Sequence, residues 1–368
     1  MTTEQTSSQD NIPAPTMTLS AEPAQPLPAP SPTNTTAAHL PEPTSVPEQS
    51  VPSAAPATIT ANAGTTTQVE AKSQPGQAPS LAKPTAVPTD VPAAIASEIQ
   101  NPLTKKFTEA EWKSLFEFRA QLPDILAEAF PDNSKAREIP ISIWGISIDP
   151  TSLQKDARVS VVLMKFLRAR NLNVSEARDM FVNTLRWRES FDIPAALEEK
   201  FPEDVFGGLG YVSGHDKEGR PVTYNIYGGN QDLKAVFGDV KRFIRWRVAL
   251  MERSVLLLDF NEIDQMLQVH DYHGVSLTSR DANSKAAAAE ATNIFQSHYP
   301  ELLYKKFFIN IPTLLNWIFW IFKPLISANT LAKMSVIGTG QNAIKAALLP
   351  HIDASQLPER YGGQAKDA

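Results

Sequence analysis

The first aromatic residue of this chain is Phe107. Every Phe, Trp and Tyr lies at or beyond it, whereas 18 of the 30 prolines fall within the first 102 residues, among Ala, Thr, Ser and Gln. A segment without large apolar side chains cannot bury enough area to offset the entropy of ordering it. Residues 1–104 therefore read as a disordered tail, partly polyproline II in character, that could also serve as a docking ligand for proline-recognising domains. The folded body is expected to begin near residue 106.

The sequence has no cysteine, a formal net charge of −6, and an opening of Thr, Glu, Gln and Ser in place of an apolar leader. These features point to a cytoplasmic protein without disulfides. The mild acidity and the lack of a dense Lys/Arg stripe argue against nucleic acid as a partner.

From Phe107 onward, Thr108-Glu109-Ala110-Glu111 has capping-box spacing and opens a helix expected to stop before Pro131. Two more helical patterns follow between Ser160 and Ile193, parted by Asn171-Leu172-Asn173, which makes residues 105–205 a small all-α subdomain. After Gly207 the apolar period shortens. Tyr211-Val212-Ser213 and Val222 to Tyr227 frame a turn at Asp216-Lys217-Glu218-Gly219 and read as a hairpin. Helical and strand patterns then alternate: a helix from about Val240 to Leu258, a strand at Leu267 to Gly274, an Ala-rich helix to His298, a strand at Lys306 to Ile311, an apolar helix, and a strand at Met334 to Ile337. This βαβαβ order implies an α/β domain with a mainly parallel sheet over residues 206–365. The apolar helix is hydrophobic on nearly every side between Leu314 and Phe322, yet falls short of the roughly 18–20 residues that a membrane span requires. It is either plain core or a movable wall over an apolar ligand.

No phosphate loop, His-Glu-x-x-His or Gly-x-Ser-x-Gly elbow is present, and Gly338-Thr339-Gly340 with Ala343 matches a dinucleotide fingerprint only formally, with 25 residues left after it. The unusual polar run is Gln268-Val269-His270-Asp271-Tyr272-His273, inside an expected strand, where a period of two puts His270 and Tyr272 on one face. A Tyr can hold haem iron through its oxygen, but an unperturbed phenol pKa near 10 means that it needs the metal or a nearby cation to stay ionised. Arg245, Arg247, Lys305 and Lys306 are the candidate cations. Spacing leaves two readings open: a metal-ligating face, or a hydrogen-bonded Tyr beside a satisfied core His. The two basic pairs either neutralise propionates or an inositol phosphate, or form a solvated rim.

Five blocks then carry a specific resemblance. Phe166-Leu167-Arg168-Ala169-Arg170, Asn183 to Arg188, Gly219-Arg220-Pro221-Val222, Tyr299-Pro300-Glu301 and Leu357 to Gly363 resemble, in order, the signatures of the CRAL-TRIO family. The similarity covers residues 108–363. It implies a helical N-terminal subdomain and a CRAL-TRIO lipid-binding domain with a gate helix, matched by residues 314–326, over a cavity for a phospholipid. In fungal members that exchange phosphatidylinositol, the lysine after Tyr-Pro-Glu contacts the inositol phosphate, and spacing places Lys305 there. Val269 to Tyr272, Val222 to Gly228 and Arg245-Trp246-Arg247 are similar to a non-classical, haem-binding branch. That resemblance implies ferric haem b with Tyr272 as axial ligand, His270 adjoining, and Tyr227, Arg247 and Lys306 lining the haem, in the same cavity as the lipid. It further implies a phosphatidylinositol carrier rather than an enzyme, with peroxidase-like chemistry a minor option, acting in phosphoinositide homeostasis and oxidant stress. Its expected place is the cytoplasm, peripheral on endoplasmic reticulum or microsomal membrane. A scaffold recruiting partners through the proline-rich tail is the alternative.

Overall fold

The computed structural model describes residues 88, 90–228, 232–275, 282–311 and 328–367. The described residues include a helix some fifteen residues before the expected start of the folded body. Helix α1 (Val91–Ala96) is capped by Asp90, and buried Asn101 ties the following turn to the body by donating to the Phe260 carbonyl at 2.9 Å. No aromatic residue is needed for this: besides that hydrogen bond, Glu98 pairs with Arg119 at 2.8 Å, and partly buried Val91, Ala94, Ile95 and Leu103 pack on the core.

Helix α2 (Glu109–Ala120) begins with the expected capping box, Glu111 N–H to Thr108 Oγ1 at 3.2 Å and Thr108 N–H to Glu111 Oε2 at 2.8 Å. The single helix expected up to Pro131 is two, since Pro123 in the first turn of α3 (Leu122–Ala129) cannot continue the ladder of α2. Helices α4 (Ala157–Arg168) and α5 (Val174–Phe191) follow, and α5 ends at Asp192 in the left-handed region. A short hairpin missing from the sequence-based expectation lies between α3 and α4: β1 (Ile141–Ile143) pairs with β2 (Ile146–Ile148) through Trp144-Gly145, both at positive φ, as a tight two-residue hairpin requires. A Trp at φ 53° is strained. Burial offsets this, since Trp144 stacks at 5.8 Å on Phe166 and 6.2 Å on Phe260.

The main sheet runs in the order β3 (Gly210–His215), β4 (Pro221–Ile226), β5 (Met266–Asp271), β6 (Leu303–Ile309) and β7 (Met334–Val336). The β3/β4 pair is antiparallel and every other pair is parallel. After the short helices α6 (Ile193–Glu198), α7 (Glu203–Phe206) and α8 (Leu233–Gly238), long crossovers feed the parallel strands: α9 (Val240–Val255) leads into β5 and α10 (Ala282–His298) into β6, confirming the α/β alternation. One face of the sheet packs Val222, Tyr224, Leu267, Val269, Phe307 and Ile309 against the C-terminal helix Gln341–Leu348 and the residues after it. The other face looks toward α9. The expected gate helix, residues 314–326, lies outside the described residues.

Two of the sequence blocks meet in space. Arg188 of α5 makes a two-pronged ion pair with Glu252 of α9, at 2.6 and 3.0 Å, and the Tyr299 hydroxyl donates to the same carboxylate at 2.6 Å. Trp187 stacks flat on His298 at 4.4 Å. A buried carboxylate is tolerable only when so fully paired. The Tyr-Pro-Glu turn is pinned further on: Glu301 sits at φ 53°, and its carbonyl accepts from buried Lys165 at 3.1 Å and from Gln265 at 3.3 Å. Its carboxylate pairs with Lys333 at 2.9 Å. Lys165 also reaches the Asp264 carbonyl and carboxylate, each at 2.7 Å.

Candidate functional site

The strand register sorts the polar side chains by face. Asn225 lies beside His270 across β4 and β5, while Gln268 pairs with Lys306 and His270 with Phe308 across β5 and β6. All five therefore stand on the α9 side of the sheet. Tyr227 and Tyr272 extend the same rows just past the strand ends, held by Tyr227 N–H to the Asp271 carbonyl at 2.9 Å and Tyr272 N–H to the Ile309 carbonyl at 3.1 Å.

The rings converge as the period of two predicts. Tyr227 stands 5.7 Å from His270 and 5.2 Å from Tyr272, and Phe308 lies 5.4 Å from His270 and 6.3 Å from Tyr272, centroid to centroid. Two cations border this cluster. Lys306 Nζ is 5.3 Å from the Phe308 ring, and buried Arg247 reaches in from α9 with its guanidinium 4.9 Å over Phe295 of α10 and in hydrogen-bond reach of the Tyr227 phenol. Among the described residues no carboxylate pairs with either cation, and the Nη1 of Arg247 has no hydrogen-bond partner.

The electrostatics follow from this crowding. Burial lowers the Lys306 ammonium to about 7, with Arg247 adding repulsion. Burial, Lys306 and Arg247 together hold His270 well below the usual histidine value, so its ring is neutral. Burial and the neighbouring Tyr227 push the Tyr272 phenol up, with Arg247 pulling the other way. The site is thus a buried cluster of aromatic rings with two positive groups that no carboxylate among the described residues pairs, and with a phenol that ionises only if a ligand takes its proton's place.

Backbone details aim Tyr272. Asp271 points to the opposite face, where it accepts from the Tyr361 hydroxyl at 2.9 Å, Asn310 at 2.7 Å and the His273 amide at 2.8 Å. Gly228 passes so close to the next loop that a Cβ there would stand 1.5 Å from the His273 carbonyl oxygen. The residue after Tyr227 must therefore be glycine.

Two of the candidate cations are elsewhere. Arg245 turns outward to an ion pair with Glu199 and the Phe191 carbonyl at 3.0 Å. Lys305 lies on the other face of β6 and does not border the aromatic pocket; its Nζ meets His351 Nε2 at 3.2 Å. His351 is kept below the usual histidine range by burial and by Lys305, so the partner of Lys305 is a neutral ring. Asn225, Gln268 and Phe308 were not singled out from the sequence, although the alternation that marked His270 also marks Gln268. Gly340, at φ 114°, only turns the chain from β7 into the helix Gln341–Leu348. Among the described residues no helix is long and apolar enough to cross a membrane, and no group of three or more His, Cys, Asp or Glu side chains could hold a metal ion.

Comparison with known proteins places this architecture. Residues 206–363 match the CRAL/TRIO domain, and residues 114–183 match the CRAL/TRIO, N-terminal domain. The chain is 37% identical over 261 residues to a phosphatidylinositol transfer protein sfh5 of Aspergillus oryzae, covering 67% of this chain and 54% of that protein. It is 37% identical over 265 residues to the protein of the same name from Botryotinia fuckeliana, covering 68% and 57%. It thus spans a little over half the length of these relatives. The crystal structure of Sfh5 superposes with a TM-score of 0.57 at 26% identity, covering 72% of this chain and 90% of that one. With its N-terminal helical and C-terminal α/β parts both matched, the chain belongs to the CRAL-TRIO family.

Proposed function

We propose that this protein binds phosphatidylinositol and carries it between membranes, meeting their surfaces peripherally, the endoplasmic reticulum among them. The names of the similar fungal proteins support the lipid class. The observation that carries the reading is Lys305. It stands where the resemblance expects a phosphate contact, and among the described residues its ammonium is held by neutral His351 and by no carboxylate. A cation so placed is free of a competing carboxylate among the described residues when an anion arrives. Vesicle exchange tests the reading: purified protein should move labelled phosphatidylinositol from donor to acceptor vesicles, and failure to move it above the spontaneous rate refutes the proposal. The chain is then a carrier, with no catalytic role assigned to any residue.

A second reading is favoured by a separate observation, the cluster around Tyr272. A ferric haem fits it in three respects: a phenol oxygen at the wall, aromatic rings for a flat macrocycle, and two unmatched cations for two propionates. Tyr272 would hold the iron, Arg247 and Lys306 the propionates, and Tyr227, His270 and Phe308 the ring. The haem would supply a redox-active iron, consistent with an oxidant-linked role. A Soret band in protein purified without added haem tests it, and a colourless protein that also fails to take up haemin overturns it.

A further inference from the structure

His351 follows the helix Gln341–Leu348 and brings together two other parts of the chain. From β6, Lys305 Nζ donates to His351 Nε2 at 3.2 Å, while Phe307 and Tyr304 lie 5.4 and 6.5 Å from the ring, centroid to centroid. From the β3/β4 turn, the Lys217 amide donates to the His351 carbonyl at 2.8 Å, and Arg220 lays its guanidinium 3.6 Å over Tyr304. An ammonium has donors only, so Nε2 accepts from Lys305 and carries no hydrogen. Burial, then Lys305, Lys217 and Arg220, hold this ring below the usual histidine range, and Asp216 alone pulls the other way. The carboxylates around it are engaged by other cations: Asp216 with Arg220 at 2.9 Å, Glu218 with the same guanidinium, and Asp353 with Lys217 at 4.0 Å.

We propose that His351 is the second phosphate-binding residue of the Lys305 site and meets the anion as an imidazolium, so that loading a phosphate ester takes up a proton. This role rests on the reading of Lys305 as a headgroup contact. A phosphate oxygen that accepts from Lys305 comes within reach of Nε2, because the two nitrogens are 3.2 Å apart. Phosphate oxygens and a bare imidazole nitrogen are both acceptors and repel each other. A proton on Nε2 turns that contact into a charge-assisted hydrogen bond. The anion also supplies the counter-charge that lets two cations stand side by side. Linkage sets the sign. The ring titrates at a higher pH with the anion than without it, so affinity rises as pH falls through the upper midpoint, by no more than about tenfold per pH unit, and levels off below the lower one.

The test uses the full chain with ¹³C-labelled histidine. His351 is identified among the six histidines by the signal lost in His351→Gln or, if that variant does not fold, by the signal that shifts in Lys305→Met. Its titration midpoint is read without ligand, with glycerophosphoinositol and with phosphatidylinositol vesicles. The phosphodiester of both probes does not titrate near neutrality, so a proton gained is the protein's own. The midpoint should rise by about 1–3 pH units, as beside any close opposite charge. Calorimetry with glycerophosphoinositol in buffers of different ionisation enthalpy should show proton uptake, and His351→Gln, which keeps an acceptor for Lys305, should abolish both the uptake and the pH dependence. A rise with vesicles alone supports the site and assigns it to the lipid, and a rise with both probes shows that the headgroup suffices. Lipid moved between vesicles with an unchanged His351 midpoint overturns the proposal and leaves the carrier reading intact. A midpoint raised by glycerophosphoinositol in a protein that moves no lipid keeps the phosphate site and removes the carrier reading. No rise with either probe, in a protein that moves no lipid, overturns both.

Discussion

Lys305 and Lys306 are neighbours in the chain and back to back in the fold: the first meets His351 at 3.2 Å beneath the sheet, the second lies 5.3 Å from Phe308 on the α9 side. An extended strand allows no other outcome for consecutive residues. The two proposed ligands, an inositol phosphate at Lys305 and a haem at Lys306, would accordingly meet opposite faces of β6, whereas the resemblance implies one shared cavity.

That separation makes the two lysines independently testable. Lys305→Ala is expected to slow phosphatidylinositol exchange about 10- to 100-fold, the worth of a charge-assisted hydrogen bond, and to leave a haem spectrum unchanged. Lys306→Ala should weaken haemin binding by a similar factor and spare lipid exchange. Parallel exchange and absorption titrations on both variants check this, and a single variant that abolishes both activities would contradict it.

Lys306 also gives a pH signature. Its folded-state value of about 7 lies below the ordinary 10.5. Between those values the unfolded chain holds a proton that the folded chain has released, so stability rises with pH across the window, and the burial penalty is fully present below pH 7. Lys306→Met should therefore raise the melting temperature most at or below pH 7, with the advantage shrinking toward pH 10.5. Thermal melts of both proteins over that range read the difference directly, because the other titrations cancel.

Tyr272→Phe removes the only oxygen proposed to reach the iron. The visible charge-transfer band of a phenolate complex should vanish and bound iron should drop, while the melting temperature of the ligand-free protein moves little. His270→Ala should perturb the spectrum less. Gly228→Ala should act at a distance on the same readout, since its methyl group collides with the His273 carbonyl and displaces the loop that carries Tyr272. Iron analysis and absorption of the three purified variants decide the order.

Glu252→Ala addresses the junction of the helical and α/β parts. It would leave Arg188 buried without its counter-ion and the Tyr299 hydroxyl without an acceptor. The expected cost is about 3–5 kcal/mol, the loss seen when one partner of a buried pair is removed. Urea unfolding, which reports the shift in midpoint at constant slope, measures it.

The alternation of strand and helix after Gly207 was legible because buried parallel strands and amphipathic helices impose different periods. So was the shared face of His270 and Tyr272. What the sequence could not disclose depends on contacts distant along the chain. Arg245 and Arg247 look alike in sequence, yet only Arg247 turns into the pocket, since the two differ by 200° around a helix. The Trp144-Gly145 hairpin escaped notice because a Trp at positive φ is tolerated only with Phe166 and Phe260 already packed around it. Residues 91–103 read as tail because what holds them is distant in the chain: Asn101 bonds to Phe260, more than 150 residues away, Glu98 pairs with Arg119, and small apolar side chains pack on the core.

The clamp on Glu301 has a bearing on how this protein can change over generations. Lys165 and Gln265 grip the carbonyl of that turn, so it acts as a fixed zero from which the residues of β6 are counted. Insertion or loss of one residue between Glu301 and Lys306 would exchange odd for even and hand each ammonium to the other side. Such a slip would still leave one ammonium on each face, but it would turn Phe307 out of its core and Phe308 away from His270 and Tyr272, and the anchored turn guards against it.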